Sequence, residues 1–214
     1  MRSTTTGVPV TLSVNPGLDI ALRAGVDSWE SSVARRGATA TKKWVLHRAG
    51  GSDLDGELVL EAIENLLLSE DSLDRTLARA ELGEIVQDAD SELADLLWFA
   101  VRDYSLAASD ADLLAEASAH IAQIAFDLDE PTTAAEVWID FLNWRREPDS
   151  TSDPETILTA FDEIIRAAEL DGAQADAARY GYLQAQFQAL VETDDPRATI
   201  GNWMAHEHSL ESWS

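Results

Sequence analysis

Two pairs of acids at helical spacing are the residues best suited to do chemistry. Glu61 and Glu64 stand three apart, as do Glu92 and Asp95, so on a helix each pair projects from one face. Their surroundings are strongly apolar: Leu58, Val59, Leu60, Ala62, Ile63, Leu66, Leu67 and Leu68 flank the first pair, and Leu93 with the run Leu96 to Val101 flanks the second. A helix apolar around most of its circumference is expected to be buried, and its acids with it. If the two helices pack, four carboxylates converge. Two carboxylates about 6 Å apart repel by roughly 3 kcal/mol at an effective dielectric near 20. Several such pairs cost more than a small domain can spare. Divalent cations between them remove the repulsion, and an all-oxygen ligand set suits Mg²⁺ or Mn²⁺.

Other groupings have plainer explanations. Asp53, Asp55 and Glu64 match positions 1, 3 and 12 of a calcium loop, but Leu58 stands where that loop needs glycine. The pairs Asp53/Asp55, Asp88/Asp90, Asp110/Asp112 and Asp127/Asp129 fall at junctions between apolar-periodic segments, where short acids cap helices. Among 40 acids, further i,i+3 pairs such as Asp71/Asp74, Glu81/Glu84 and Asp127/Glu130 arise by chance. His120 shares its segment with Ile121 and Ile124 and reads as a hydrogen-bonded structural histidine. His206 and His208 diverge on a helix and belong to an exposed tail. The chain has no cysteine, so disulfides and thiolate metal sites are excluded.

The elements that must position these residues are helical. From Ser52 onward the pattern predicts helices at 54–69, 72–88, 91–107, 110–128, 131–147, 154–170, 173–192 and 196–206. Leu114, Ala117, Ile121, Ile124 and Leu128 form a clean apolar stripe. Pro131, Pro154 and Pro196 each follow an acid, as at first helical positions. Connections of two to six residues imply antiparallel neighbours. Starts near Asp110, Asp153 and Asp195 are 43 and 42 residues apart, so hairpins could repeat with that period. The segment 129–148 loosely resembles a tetratricopeptide second helix, with Ala134, Trp138 and Phe141.

The start of the chain differs. Val8, Val10, Leu12 and Val14 alternate like a half-buried strand, and Leu22, Val26, Trp29 and Val33 recur at helical spacing. Arg35, Arg36 and Gly37 look like a helix end, and Thr39 to His47 allows either a short strand or a loop. The expected class is therefore all-α, an antiparallel bundle or helical-hairpin array with room for a small N-terminal β element. The expected divisions are a basic segment 1–50 (strand-helix-strand or arm), a bundle 51–128 carrying the acid pairs, and further hairpins 129–214 packed on the same domain.

Net charge is −25, unevenly spread: residues 1–50 carry 7 basic and 3 acidic side chains, residues 51–214 carry 8 and 37. So acidic a body disfavours nucleic acid and anionic membranes and favours cations, a basic protein, or the chain's own basic segment. That segment holds Arg35, Arg36, Lys42, Lys43, Trp44, His47 and Arg48, suited to clasping the acidic surface, to contacting substrate phosphate or, third, to binding nucleic acid. No apolar run is long enough to span a membrane, and the first residues lack a secretory pattern, so the expected compartment is the cytoplasm.

Glu61-Ala-Ile-Glu64, 27 residues, then Glu92-Leu-Ala-Asp95-Leu-Leu-Trp-Phe resembles the ExxE…ExxD signature of the all-α nucleotide pyrophosphohydrolases, the superfamily of MazG-like enzymes, over about residues 54–120. The resemblance implies Mg²⁺ held by Glu61, Glu64, Glu92 and Asp95, and water attack on a nucleoside triphosphate to give monophosphate and pyrophosphate. It also implies a homodimer. Bound cations of this kind neutralise phosphate charge and lower the pKa of water. The stretch Asp112 to Gln123 lacks the lysine that often touches phosphate in that family, which leaves Lys42, Lys43 and Trp44 as the substrate-binding candidates. The competing expectation is a non-catalytic acidic helical-repeat scaffold that binds a protein partner, one variant being a nucleic-acid mimic.

Overall fold

The computed structural model describes residues 31–50, 54–144 and 153–192. Among them every regular element is an α-helix: α1 Ser31–Arg48, α2 Gly56–Leu68, α3 Ser72–Val86, α4 Ser91–Ala108, α5 Ala111–Asp127, α6 Pro131–Trp144, α7 Pro154–Leu170 and α8 Gln174–Val191. None is long and apolar enough to cross a membrane. The strand expected at Val8 to Val14, the part of the helix expected at Leu22 to Val33 that precedes Ser31 and the helix at 196–206 lie outside the described residues. The chain divides into two compact units, Met1–Ala78 and Arg79–Ser214.

Helix starts are set by acids, expected at Asp55, Asp90 and Asp110 and found also at Asp71. Asp55 accepts from the Glu57 N–H at 2.9 Å, Asp71 from Leu73 at 2.7 Å, and Asp90 and Asp110 from Leu93 and Leu113 at 3.1 Å each. Each such cap is worth about 1 kcal/mol and satisfies an N–H the helix leaves unpaired. Pro131 and Pro154 open α6 and α7, where a missing N–H costs nothing.

Three helix ends in the second unit share one device. Ser109, Asp129 and Gly172 adopt left-handed φ values of 56°, 61° and 76°. The next residue's N–H then reaches back five positions: Asp110 to the Ser105 carbonyl, Glu130 to Ala125, Ala173 to Ala168. These Schellman closures reverse the chain within two or three residues. That makes each following helix antiparallel to the last.

In the first unit, α1 packs on α2. Ala38, Thr41 and Val45 are buried on α1, and Val59, Ala62, Ile63 and Leu66 on α2. The helix end expected at Arg35 to Gly37 and the strand or loop expected from Thr39 to His47 are both replaced by continuous helix to Arg48. The reason is burial. Residues 38, 41 and 45 share one helical face, and covering it outweighs the roughly 1 kcal/mol that Gly37 costs and the small β preference of the threonines. The stop signal is used later, where His47 and Arg48 precede Gly50 at φ 77°.

In the second unit, α4 packs on α5, α5 on α6, α6 on α7 and α7 on α8. Contacts also link alternate helices. His120 on α5 meets Gln87 just beyond α3, Arg102 on α4 pairs with Asp140 on α6 at 2.8 Å, and the Arg166 guanidinium on α7 lies 4.2 Å from the ring centre of Phe126 on α5. Helices α3, α5 and α7 thus form one layer and α4, α6 and α8 the other. Helix starts within a layer recur at Ser72, Ala111 and Pro154, and at Ser91, Pro131 and Gln174, which are 39 to 43 residues apart. This is a stack of helical hairpins in which each unit covers its neighbour. Its core runs continuously from Leu114 through Trp138, Phe141, Phe161 and Ile164 to Tyr180 and Phe187. Alanines at 122, 125, 134, 135, 160, 167 and 168 are buried in the same core and let the helices approach closely.

Where α3 meets α4, Gly83 faces Trp98. A Cβ on Gly83 would stand 2.9 Å from Trp98 Nε1 and 3.1 Å from its Cε2, and Trp98 has no exposed surface into which to move. Gly83→Ala gains about 1 kcal/mol of helix propensity but incurs about 1–3 kcal/mol of overpacking. The expected outcome is a net loss of about 1 kcal/mol, read as a lower urea midpoint with an unchanged slope.

Candidate functional site

The four acids singled out by spacing occupy helices, each pair on one face. Glu61 is exposed and Glu64 half-buried on α2; Glu92 is exposed in the first turn of α4, and Asp95 is half-buried one turn on. The first pair belongs to the unit ending at Ala78 and the second to the unit beginning at Arg79. The expectation that these helices are buried all round is corrected. Leu58 and Leu68 on α2 and Leu96 on α4 are 47%, 42% and 55% exposed. The helices are amphipathic after all, with one face inward and several leucines left outside.

Within the second unit Asp95 does have an acidic neighbour. Burial, and then the charge of Glu130 ahead of α6, push its carboxyl above the usual aspartate range. Of the proposed phosphate contacts, Lys42 lies across the first turn of α2, with Nζ 3.3 Å from where a Cβ on Gly56 would stand. Lys43 is exposed, and Trp44 is half-buried beneath the Arg48 guanidinium, 5.5 Å from its ring centre. All three are on α1, so a helix rather than a loop carries the basic cluster.

A different cluster emerges between α3 and α5. Glu84, Glu116 and His120 each bring one ligand atom within 4.8 Å of the others. Glu116 and His120 are four apart on α5 and share its face. Glu84 is supplied by α3. The imidazole is held on two sides: Nδ1 donates to Gln87 Oε1 at 2.8 Å, and the ring stacks on Trp98 with centroids 3.9 Å apart and planes 6° from parallel. Nε2 then lies 3.8 Å from Glu84 Oε1. Burial lowers the His120 pKa below the ordinary imidazole value, and Glu84 and Glu116 offset this only in part. The hydrogen bond expected for His120 is thus present. The convergence of acids upon it was missed, because Glu81/Glu84 looked like a chance pair and only the Glu116–His120 spacing hinted at a shared face.

Compared with known proteins, the chain matches no family model, no curated protein and no solved structure.

The raised pKa of Asp95 has a definite consequence. An acid whose folded pKa exceeds its unfolded value favours the fold only while protonated. Its destabilising effect is absent below about pH 4 and grows as pH rises through the folded value. Asp95→Asn is therefore expected to raise Tm by about 1–2 °C at pH 7 and to leave it unchanged near pH 3.5. Thermal melts of both proteins across pH 3.5–7 check this.

Proposed function

We propose that this protein is a non-catalytic scaffold of stacked α-helical hairpins that binds a basic protein partner through its acidic surface. The observation that carries this reading is the two-layer packing of α3 to α8, an architecture whose extended faces suit partner binding. Charge distribution supports it. The described residues from Arg79 onward include 23 acids and only 4 basic side chains: Arg79, Arg102, Arg166 and Arg179. Of these, Arg102 is bound by Asp140, Arg166 by Glu163 and Phe126, and Arg179 lies over Tyr180. The remaining surface is overwhelmingly negative, which attracts a cationic protein and repels nucleic acid. Absence of cysteine agrees with a cytoplasmic location.

The second reading is Mg²⁺- or Mn²⁺-dependent hydrolysis of a nucleoside triphosphate by Glu61, Glu64, Glu92 and Asp95. What favours it is that both acid pairs stand on helices, each pair on one face, as the pyrophosphohydrolase resemblance implies.

One pair of measurements separates the two. On the scaffold reading, incubation with the common nucleoside triphosphates and Mg²⁺ yields no pyrophosphate above background. Titration with a lysine- and arginine-rich helical peptide gives saturable binding that weakens at least tenfold between 50 and 300 mM salt. Pyrophosphate release that disappears with EDTA and in Glu92→Gln and Asp95→Asn overturns the scaffold reading in favour of the enzyme.

A further inference from the structure

Three side chains converge between α3 and α5, each bringing one metal-ligating atom within 4.8 Å of the others. Gln87 Oε1 engages Nδ1 of His120, which leaves Nε2 as the ring nitrogen on the side of the Glu84 and Glu116 carboxylates. Two carboxylates at this range repel, and a positive ion placed between them removes the repulsion. We infer that Glu84, Glu116 and His120 form a binding site for a divalent transition-metal ion of the zinc type, which would tie α3 to α5.

The ligand chemistry selects the metal class. One imidazole with two carboxylates suits Zn²⁺, whereas Mg²⁺ prefers oxygen ligands and retained waters. The surroundings resemble those of a metal-binding imidazole. Its second nitrogen is held by a side-chain carbonyl, which fixes the tautomer, and the stack on fully buried Trp98 fixes the ring plane. In a tetrahedral shell with bonds of about 2.0–2.1 Å, ligand atoms stand about 3.4 Å apart. The 3.8 Å from Nε2 to Glu84 Oε1 is already close to that spacing. The rest of the closure falls to rotamer changes of two glutamates that are both exposed. Three protein ligands leave a fourth position for water. The inference does not depend on the scaffold reading, because it concerns metal uptake and not partner binding.

Calorimetric titration of the full chain with ZnCl₂, in 150 mM salt and 5 mM Mg²⁺ to suppress diffuse binding by the acidic surface, tests it. The expected result is one saturable site per chain and a rise in Tm of about 5 °C at saturation, reversed by a chelator. Affinity falls at least tenfold in Glu84→Gln and in Glu116→Gln, both exposed positions that leave the fold intact by circular dichroism. The control Glu136→Gln, on α6, binds as the parent does. Co²⁺ in place of Zn²⁺ gives a visible d–d band that His120→Gln abolishes. Absence of saturable uptake, or uptake undiminished in the Glu84→Gln/Glu116→Gln double variant, overturns the inference.

Discussion

Trp98 is wedged between Gly83 on α3 and His120 on α5, and much of the second unit depends on that contact. The indole has no exposed surface. Gly83 supplies the space that any side chain would fill, and the imidazole stacks on the indole with centroids 3.9 Å apart. Three helices are thereby held at set distances by one residue. The same stack orients the His120 ring toward Glu84 and Glu116, so the packing constraint and the metal-ligand geometry are a single arrangement. A large rigid aromatic suits this role because it has few rotamers to lose and much apolar area to bury.

Around this centre the hairpin stack is built from repeated local devices. Schellman closures at Ser109, Asp129 and Gly172 turn the chain, and the next helix begins within two residues. Turns this short leave each helix little choice but to lie against its predecessor. The alternate-helix contacts through Arg102–Asp140 and Arg166–Phe126 then join one hairpin to the next. The first of these contacts also holds the Arg102 side chain largely covered within the stack. The acids stay outside, where water solvates them and where a cationic partner would meet them.

Helix ends were largely legible in the sequence, as were the layered class and the capping role of Asp55, Asp90 and Asp110. The failures have physical causes. The α1 stretch looked β-prone because Thr39, Thr41 and Val45 are branched, and intrinsic preference is weaker than the burial of Ala38, Thr41 and Val45 against α2. The leucine-rich helices looked wholly buried because composition counts residues without their directions. Leu58 and Leu96 point outward, and no count of apolar residues reveals which side of a helix finds a neighbour. Glu61, Glu64, Glu92 and Asp95 drew attention through spacing on one helix at a time, which says where acids point but not what they meet.

What the amino-acid order determined unaided is most of what acts within four or five residues, the Asp55, Asp90 and Asp110 caps and most helix bounds from Gly56 onward, together with the sign of the net charge. Such interactions close inside a single turn of chain, so their partners stand side by side in the text. Tertiary structure alone decided that Glu84 would meet Glu116 and His120, 32 and 36 positions away. That meeting arises from the rotation and separation of two helices, and these are set by how side chains such as Trp98 fill the space between them.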